Sequence, residues 1–169
     1  MALQTLSQKP IVNVLKQGNV SYYSVFLLVD NPDIQDVHQT GSNLWVPYVD
    51  IPLPVSKTRI NQKFVVSDLV IGSNAGLTNT SPLNYAGANM HRLALYSNDT
   101  MVTQFGAIGI PGILPQVQFH AAGMAPRSFP DMKVIIEPSM FQRARFEIYP
   151  TLFSWEHVHF TLTEELASA

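Results

Sequence analysis

Hydrophobic and polar side chains alternate strictly near the end of the chain. Residues 141–163 read FQRARFEIYPTLFSWEHVHFTLT, with one alternating run on each side of Pro150. The apolar positions of the two runs are Ala144, Phe146, Ile148, Val158, Phe160 and Leu162. A period of two predicts half-buried β-strands, because successive side chains leave a strand on opposite faces. We therefore expect residues 141–163 to form paired strands at the edge of a β-sandwich.

Turn residues divide the rest of the chain into short runs that are rich in β-branched and aromatic side chains. These runs are residues 11–15, 20–29, 44–55, 59–71, 91–97, 101–105 and 133–137. The second run is apolar on both faces and is expected inside a sheet. Three prolines predict that the third run is either an edge strand or a strap across the sheet. The runs on either side of residues 98–100 predict a hairpin. Because helical periodicity is missing, the sequence predicts an all-β fold: an antiparallel, jelly-roll-like β-sandwich with long loops.

Three segments without strand patterning are candidates for contact with other molecules. Residues 1–10 form either a frayed terminus or an extended arm that docks on a neighbouring subunit; they precede the single predicted domain, residues 11–169. Residues 72–90 contain no charged side chain and exceed the loop length that compact domains usually tolerate without a function. Residues 105–124 are apolar, but glycine and proline exclude a continuous helix there.

Composition narrows the range of partners. Only 13% of the 169 residues are charged, against roughly 25% in an average protein, so the surface must be largely uncharged. A net charge of -2 gives no attraction for a polyanion, so direct binding of nucleic acid is not expected. The absence of cysteine excludes disulfides and thiolate chemistry. No apolar run has the roughly 18 residues of a transmembrane segment and residues 1–10 lack a secretory pattern, so we expect synthesis in the cytoplasm.

His157, His159 and Glu164 form a candidate metal-binding pattern, H-x-H-x4-E. The two histidines share a strand face at a spacing that lets both imidazoles reach one metal ion. The pattern resembles part of the first metal motif of the cupins, which are small jelly-roll barrels, and this resemblance implies a transition metal. The cupin motif also has flanking glycines and a second motif downstream, whereas Gly123 is the last glycine here. We therefore favour two histidines on a solvent-facing strand surface and no cofactor.

Other residues indicate binding rather than catalysis. Arg143, Arg145 and Glu147 lie on the polar face of their strand, where alternating charges are typical of a solvated face or of pairing across strands. The alternative is that the planar guanidinium groups of Arg143 and Arg145 bind carboxylates of a neighbour. An aromatic platform for a sugar ring is a further possibility, with core packing as its alternative. Its candidate residues are Trp45, Tyr48, Tyr85 and Trp155. No nucleophile elbow, phosphate-binding loop or dinucleotide motif is present, so the chain is not expected to be an enzyme.

In general character the chain resembles structural proteins of virus particles, such as capsid decoration or minor capsid proteins of bacteriophages. The shared features are low charge, no cysteine, β-rich patterning, a leading arm and long uncharged loops. The resemblance implies a virion protein that binds copies of itself or other virion proteins. The expected contact residues are Leu3, Leu6, Tyr85, Ile108, Ile110, Ile113, Arg143 and Arg145. The alternatives are a carbohydrate- or receptor-binding module and, third, a cupin-like metalloprotein.

Overall fold

The computed structural model describes residues 5–30, 32–33, 45–54, 62–75, 89–106, 127–150 and 153–166. These residues form nine strands: β1 (Ile11–Gln17), β2 (Val20–Val29), β3 (Val46–Ile51), β4 (Gln62–Ala75), β5 (Met90–Ser97), β6 (Thr100–Gly106), β7 (Arg127–Ile136), β8 (Arg143–Tyr149) and β9 (Ser154–Leu166). One antiparallel sheet has the order β1-β2-β9-β4-β7 and the other has the order β3-β8-β5-β6. The prediction of an all-β, antiparallel fold is confirmed. Within these ranges, no helix is long and apolar enough to cross a membrane.

The pairing of the strands is nested along the chain. β5 pairs with β6, β4 with β7, β3 with β8, and β2 with β9, and every pair is antiparallel. Each pair therefore encloses the next, and strands from opposite ends of the chain become neighbours. Among the described strands, β1 lies outside the nest and pairs with β2 alone.

One hydrophobic core is shared by the two sheets. The buried alternate residues of β8 and β9 are Ala144, Phe146, Ile148, Val158, Phe160 and Leu162. Phe146 in the four-stranded sheet contacts Phe160 in the five-stranded sheet, with ring centroids 4.7 Å apart. Burial of each such side chain contributes about 1.5 to 3 kcal/mol, so this contact is a main link between the sheets. The inward faces that the alternation predicts for both strands are confirmed.

Two hairpin turns have backbone conformations that suit their residues. Between β1 and β2, Gly18 has a φ of 62° at the first turn position, as a type II′ turn requires. Between β5 and β6, Asn98 and Asp99 have φ values of 50° and 65°, as in a type I′ turn. Both turn types match the twist of the flanking strands. The predicted hairpin around residues 98–100 is confirmed.

The two strands within residues 141–163 do not pair with each other. β8 lies between β3 and β5, whereas β9 lies between β2 and β4 in the other sheet. The prediction of a paired-strand edge is therefore wrong, and both strands are interior. Pro150, which is buried, falls between them. Proline has no N–H group to donate to a neighbouring strand. None is needed here, because the chain leaves the four-stranded sheet after β8 and enters the five-stranded sheet at β9.

Prolines correctly mark one sheet edge. β3 is an edge strand of the four-stranded sheet and contains Pro47, as the sequence predicts. Its register against β8 shifts between Pro47 and Val49, so Tyr48 is an extra residue in the strand. A bulge of this kind redirects a side chain, and Tyr48 is buried.

Candidate functional site

β1 is an edge strand whose seven side chains are all exposed. Ile11 and Leu15 are each 59% exposed, and Val12 and Val14 are 41% and 50% exposed. Ile11 and Leu15 project from one face of the strand and Val12 and Val14 from the other. Both faces of β1 are therefore open to solvent, although most of the strand is apolar.

The outer face of the five-stranded sheet, which points away from the core, continues this apolar surface. Cross-strand pairs share a face, so Leu15 lies beside Tyr22 and Ile11 lies beside Phe26. The exposed large apolar side chains on the outer face are Ile11, Leu15, Tyr22, Ile135 and Trp155. Exposed apolar patches on a folded protein commonly mark interaction sites. The outer face and β1 together form the candidate interaction surface.

A shallow cleft opens in this surface where β1, β2 and β9 meet. Its volume is about 300 Å³, and the residues that line it include Asn13, Leu15, Tyr22 and His159. This volume is at the lower end of the range for small-molecule sites, which are usually concave and enclosed. The cleft suits a side chain from a docking partner better than a buried small ligand.

His157 and His159 lie on the outer face with ring centroids 6.5 Å apart. His157 also packs on Phe26, at a centroid distance of 3.9 Å. Partial burial, and secondarily the charge of His159, lower the pKa of His157 below its ordinary value. Glu164 projects from the opposite face of β9. It is an odd number of positions from both histidines, and β9 contains no bulge that would change the alternation of its side chains. The H-x-H-x4-E pattern thus brings only its two histidines together, and the described residues contain no group of three metal-binding side chains.

Arg145 and Glu147, which alternation assigns to a polar outer face, are only 7% and 1% exposed. Glu147 accepts hydrogen bonds from Nε of Arg92 at 2.6 Å, from Nε of Arg145 at 2.7 Å and from the Tyr96 hydroxyl at 2.5 Å. The guanidinium carbon of Arg92 lies 4.4 Å from the centre of the Trp45 ring, and that of Arg145 lies 4.6 Å from the Tyr96 ring. We call these five residues the arginine cluster. The charges of Arg92 and Arg145 are therefore largely balanced within the chain, by the carboxylate of Glu147.

The arginine cluster favours a charged Arg145 and a neutral Tyr96. Burial opposes the positive charge of Arg145, but its contacts with Tyr96 and Glu147 outweigh that effect and raise the pKa of Arg145. Burial, followed by the hydrogen bond to Glu147, raises the pKa of the Tyr96 hydroxyl. Arg145 therefore contacts its own chain, and its expected role in binding a neighbour's carboxylate does not fit this position.

A second polar cluster crosses the core between the two sheets. The Tyr48 hydroxyl and His91 Nδ1 share a hydrogen bond of 2.9 Å. On the other side of the ring, His91 Nε2 lies 3.1 Å from Glu156 Oε2, but these two atoms are not aligned for a hydrogen bond. Asn89 Nδ2 also donates to Ser154 Oγ across the sheets, at 2.7 Å. All these side chains are buried. Burial, and secondarily the Glu156 carboxylate, raise the pKa of Tyr48 well above its ordinary value, so this hydroxyl holds its proton and has no access to a substrate.

Of the remaining predicted contact residues, two lie in the described part of the chain. Leu6 is buried in the core of its own chain, and Ser7 beside it hydrogen-bonds to Asp33 at 2.8 Å, so Leu6 is not presented to a neighbour. Arg143 is 47% exposed and lies 3.6 Å from an Asp99 carboxylate oxygen, a loose surface pair. Residues that lie outside the described ranges are Leu3, Tyr85, Ile108, Ile110 and Ile113.

The aromatic residues considered for a sugar platform are not brought together. Trp45 packs against Arg92 and Tyr149 of the four-stranded sheet. Tyr48 is in the core, and Trp155 is exposed on the outer face of the other sheet. Tyr85 lies outside the described residues.

Sequence reasoning missed β1 as a candidate site, although one signal was available. The apolar side chains of residues 11–15 occupy both odd and even positions, and therefore both faces of the strand, yet a charged residue and a turn follow closely. A two-faced apolar strand is normally covered on both sides, and this one is not. No protein-family model, curated protein or solved structure matches the chain.

Proposed function

We propose that this chain is a structural subunit of a virus particle that acts through protein–protein contacts. The nested pairing of β2 with β9, β3 with β8, β4 with β7 and β5 with β6 narrows the candidate classes, and the exposed apolar surface of β1 carries the proposal. Such nesting describes one long antiparallel ribbon that is rolled into two sheets, which is the organisation of a jelly-roll sandwich. Jelly rolls occur in viral capsid proteins, in lectins and in cupins. The fold alone does not distinguish these three classes of protein, so the choice among them depends on the surface residues.

The positions of the histidines argue against the cupin alternative. Cupins are small barrels, whose metal would lie inside, whereas His157 and His159 are on the outer face and Glu164 is on the opposite side of β9. The space between the sheets is filled by side chains such as Phe146 and Phe160. A metal therefore has no complete ligand set at this pattern.

The carbohydrate-binding alternative has little support from the aromatic residues. Among the described candidates, Trp155 alone is well exposed, because Trp45 is half-buried and Tyr48 is in the core. A single exposed ring gives less stacking area than a sugar platform requires. The same ring fits a protein interface, where tryptophan is enriched.

Self-assembly agrees with the candidate interaction surface. The surface combines exposed apolar side chains with an open strand edge, and Lys16 is the one charged residue in β1. A low charge density across the chain reduces repulsion between copies. These features favour a protein that buries β1 and the outer face against neighbours.

The experiment that tests the proposal is size-exclusion chromatography with light scattering over about a hundredfold range of concentration, followed by electron microscopy of the largest species. We expect masses that are multiples of 18.8 kDa and that rise with concentration. A glycan array on the same sample tests the alternative. A monomer at every concentration, with no affinity for any viral particle, would overturn the proposal.

A further inference from the structure

We infer that the partner at the free edge of β1 is a second copy of this chain. The two β1 strands pair antiparallel about a twofold axis at Val14, so that two five-stranded sheets become one sheet of ten strands. This inference names the partner of the candidate interaction surface and in that sense rests on the proposed function.

The turn between β1 and β2 fixes which backbone groups of β1 are free. Gln17 pairs with Val20 across a two-residue turn, and the residues that flank such a turn exchange hydrogen bonds. Backbone groups alternate in direction along a strand, so those of Leu15, Asn13 and Ile11 also point toward β2. The N–H and C=O groups of the residues between them point away from the sheet. These residues are Val12, Val14 and Lys16.

A twofold axis at Val14 uses all of these free groups. In that register Val14 faces Val14 of the other copy, and Val12 faces Lys16 in both directions. A shift of the axis to Asn13 would set Lys16 opposite Pro10, which has no N–H to donate. The axis at Val14 therefore pairs the most backbone groups, and cross-strand geometry keeps every side chain on its original face.

Charge does not oppose this pairing. Each Lys16 faces an apolar Val12, and the two Lys16 side chains are four residue positions apart, or roughly 14 Å at about 3.4 Å per residue. This separation exceeds the screening length of about 8 Å at physiological ionic strength. Apolar side chains of both copies meet on both faces of the joined sheet.

The three other sheet edges carry features that discourage pairing with another chain. β3 contains Pro47 and a register shift, β7 contains Pro130 and a register shift against β4, and the pairing of β6 with β5 also shifts register. Proline and bulges are common protections of exposed edges. The register of β1 against β2 is unbroken over all seven residues, and the strand contains no proline. A β1–β1 contact is therefore favoured over pairing of β1 with a different edge.

The absence of cysteine allows a direct test by single-cysteine cross-linking. In the inferred dimer the two copies of Val14→Cys are directly opposite, within the Cα separation of about 4.4 to 6.8 Å that a disulfide allows. Two copies of Ile11→Cys would be six positions apart, roughly 20 Å, and cannot be bridged. Ile135→Cys, at an exposed site on β7, is the control for random collision.

Under mild oxidation we expect Val14→Cys to form a covalent dimer at least about tenfold faster than Ile11→Cys and Ile135→Cys, since the latter two require random encounters. Equal rates for the three variants would overturn the inference. Val14→Pro supplies a second measurement, because it removes an N–H group that points away from β2 and leaves the β1–β2 bonds in place. We expect its light-scattering mass to fall to that of a species without the β1–β1 contact, with an unchanged circular dichroism spectrum.

The outcomes also separate this inference from the proposed function. If the unmodified chain assembles but Val14→Cys does not cross-link selectively, the β1 pairing is wrong and assembly stands on other contacts. If Val14→Cys cross-links selectively but no species larger than a dimer forms at any concentration or on any viral particle, the pairing stands and the virion role is wrong.

Discussion

Replacement of Glu147 by glutamine tests whether the arginine cluster stabilises the fold. Glu147 is 1% exposed and is the carboxylate that Arg92 and Arg145 both contact. Glutamine keeps the shape and one acceptor oxygen but removes the negative charge, so two largely buried guanidinium groups lose their shared counterion. The Tyr96 hydroxyl also loses a charged acceptor.

The expected loss follows from the burial of the group. Breaking a buried ion pair by removal of one partner typically costs about 3 to 5 kcal/mol, whereas an exposed pair contributes about 1 kcal/mol or less. Arg92 keeps partial solvent access, with 12% of its side chain exposed, so we expect a loss near 3 kcal/mol. With a urea m-value of about 2 kcal/mol per molar, that loss lowers the unfolding midpoint by roughly 1.5 M.

Urea unfolding followed by circular dichroism measures this shift. Glu165→Gln makes the same charge change at an exposed position of β9 and should alter stability by about 0.5 kcal/mol or less. If Glu147→Gln shifts the midpoint no more than Glu165→Gln does, the contacts of the arginine cluster do not stabilise the native state and our account of Arg145 is incorrect.

Three further outcomes are expected. Phe146→Ala and Phe160→Ala should each lower the free energy of unfolding by about 3 to 5 kcal/mol. Because the two rings touch, a double-mutant cycle from urea midpoints should show a coupling energy of about 0.5 to 1.5 kcal/mol. Additive losses would contradict the contact. Folding lowers the pKa of His157, so the unfolded chain binds its proton first as the pH falls, and the free energy of unfolding should decrease below about pH 6.5. His157→Gln should flatten this pH dependence. An NMR titration should show a higher His157 pKa in His159→Gln, which removes a neighbouring charge. Asp99→Gly should raise the free energy of unfolding by up to about 1 kcal/mol in the same urea assay, because glycine adopts a positive φ without strain. No gain would mean that loss of the Arg143–Asp99 contact offsets the relief of backbone strain.

The sequence predicts the strands and their faces better than it predicts their neighbours. Alternation correctly assigns Phe146 and Phe160 to the core, and turn residues correctly place the β5–β6 hairpin. A period of two contains no information about which strand lies alongside, so it cannot show whether two adjacent runs pair with each other. The nested fold instead joins β2 to β9, which are separated by most of the chain.

Polar residues were the second limit on prediction. The alternation in β8 assigns Arg145 and Glu147 to an outward face, which is correct, but outward does not mean solvated. Charged groups can be buried where hydrogen bonds and counterions satisfy them. Two of the three partners of Glu147, Arg92 and Tyr96, come from β5, about 50 residues earlier. Likewise, the alternation of β5 and β9 places His91 and Glu156 in phase with core residues, but no local pattern indicates that they contact each other and Tyr48 there.

The position of β1 outside the nest bears on why its edge is open. The eight strands from β2 to β9 already form four complete pairs, and β1 adds a ninth strand that is bonded on one side and exposed on both faces. Fixing a residue's backbone costs on the order of 1 to 2 kcal/mol, and pairing on one side without burial recovers little of that cost. In an isolated copy, the amides of β1 should therefore exchange hydrogen faster than those of β2. A partner that pairs with the free edge and covers Val12, Val14 and Leu15 would supply the missing stabilisation, so exchange in β1 should slow as the concentration rises, while Val14→Pro should remove that dependence.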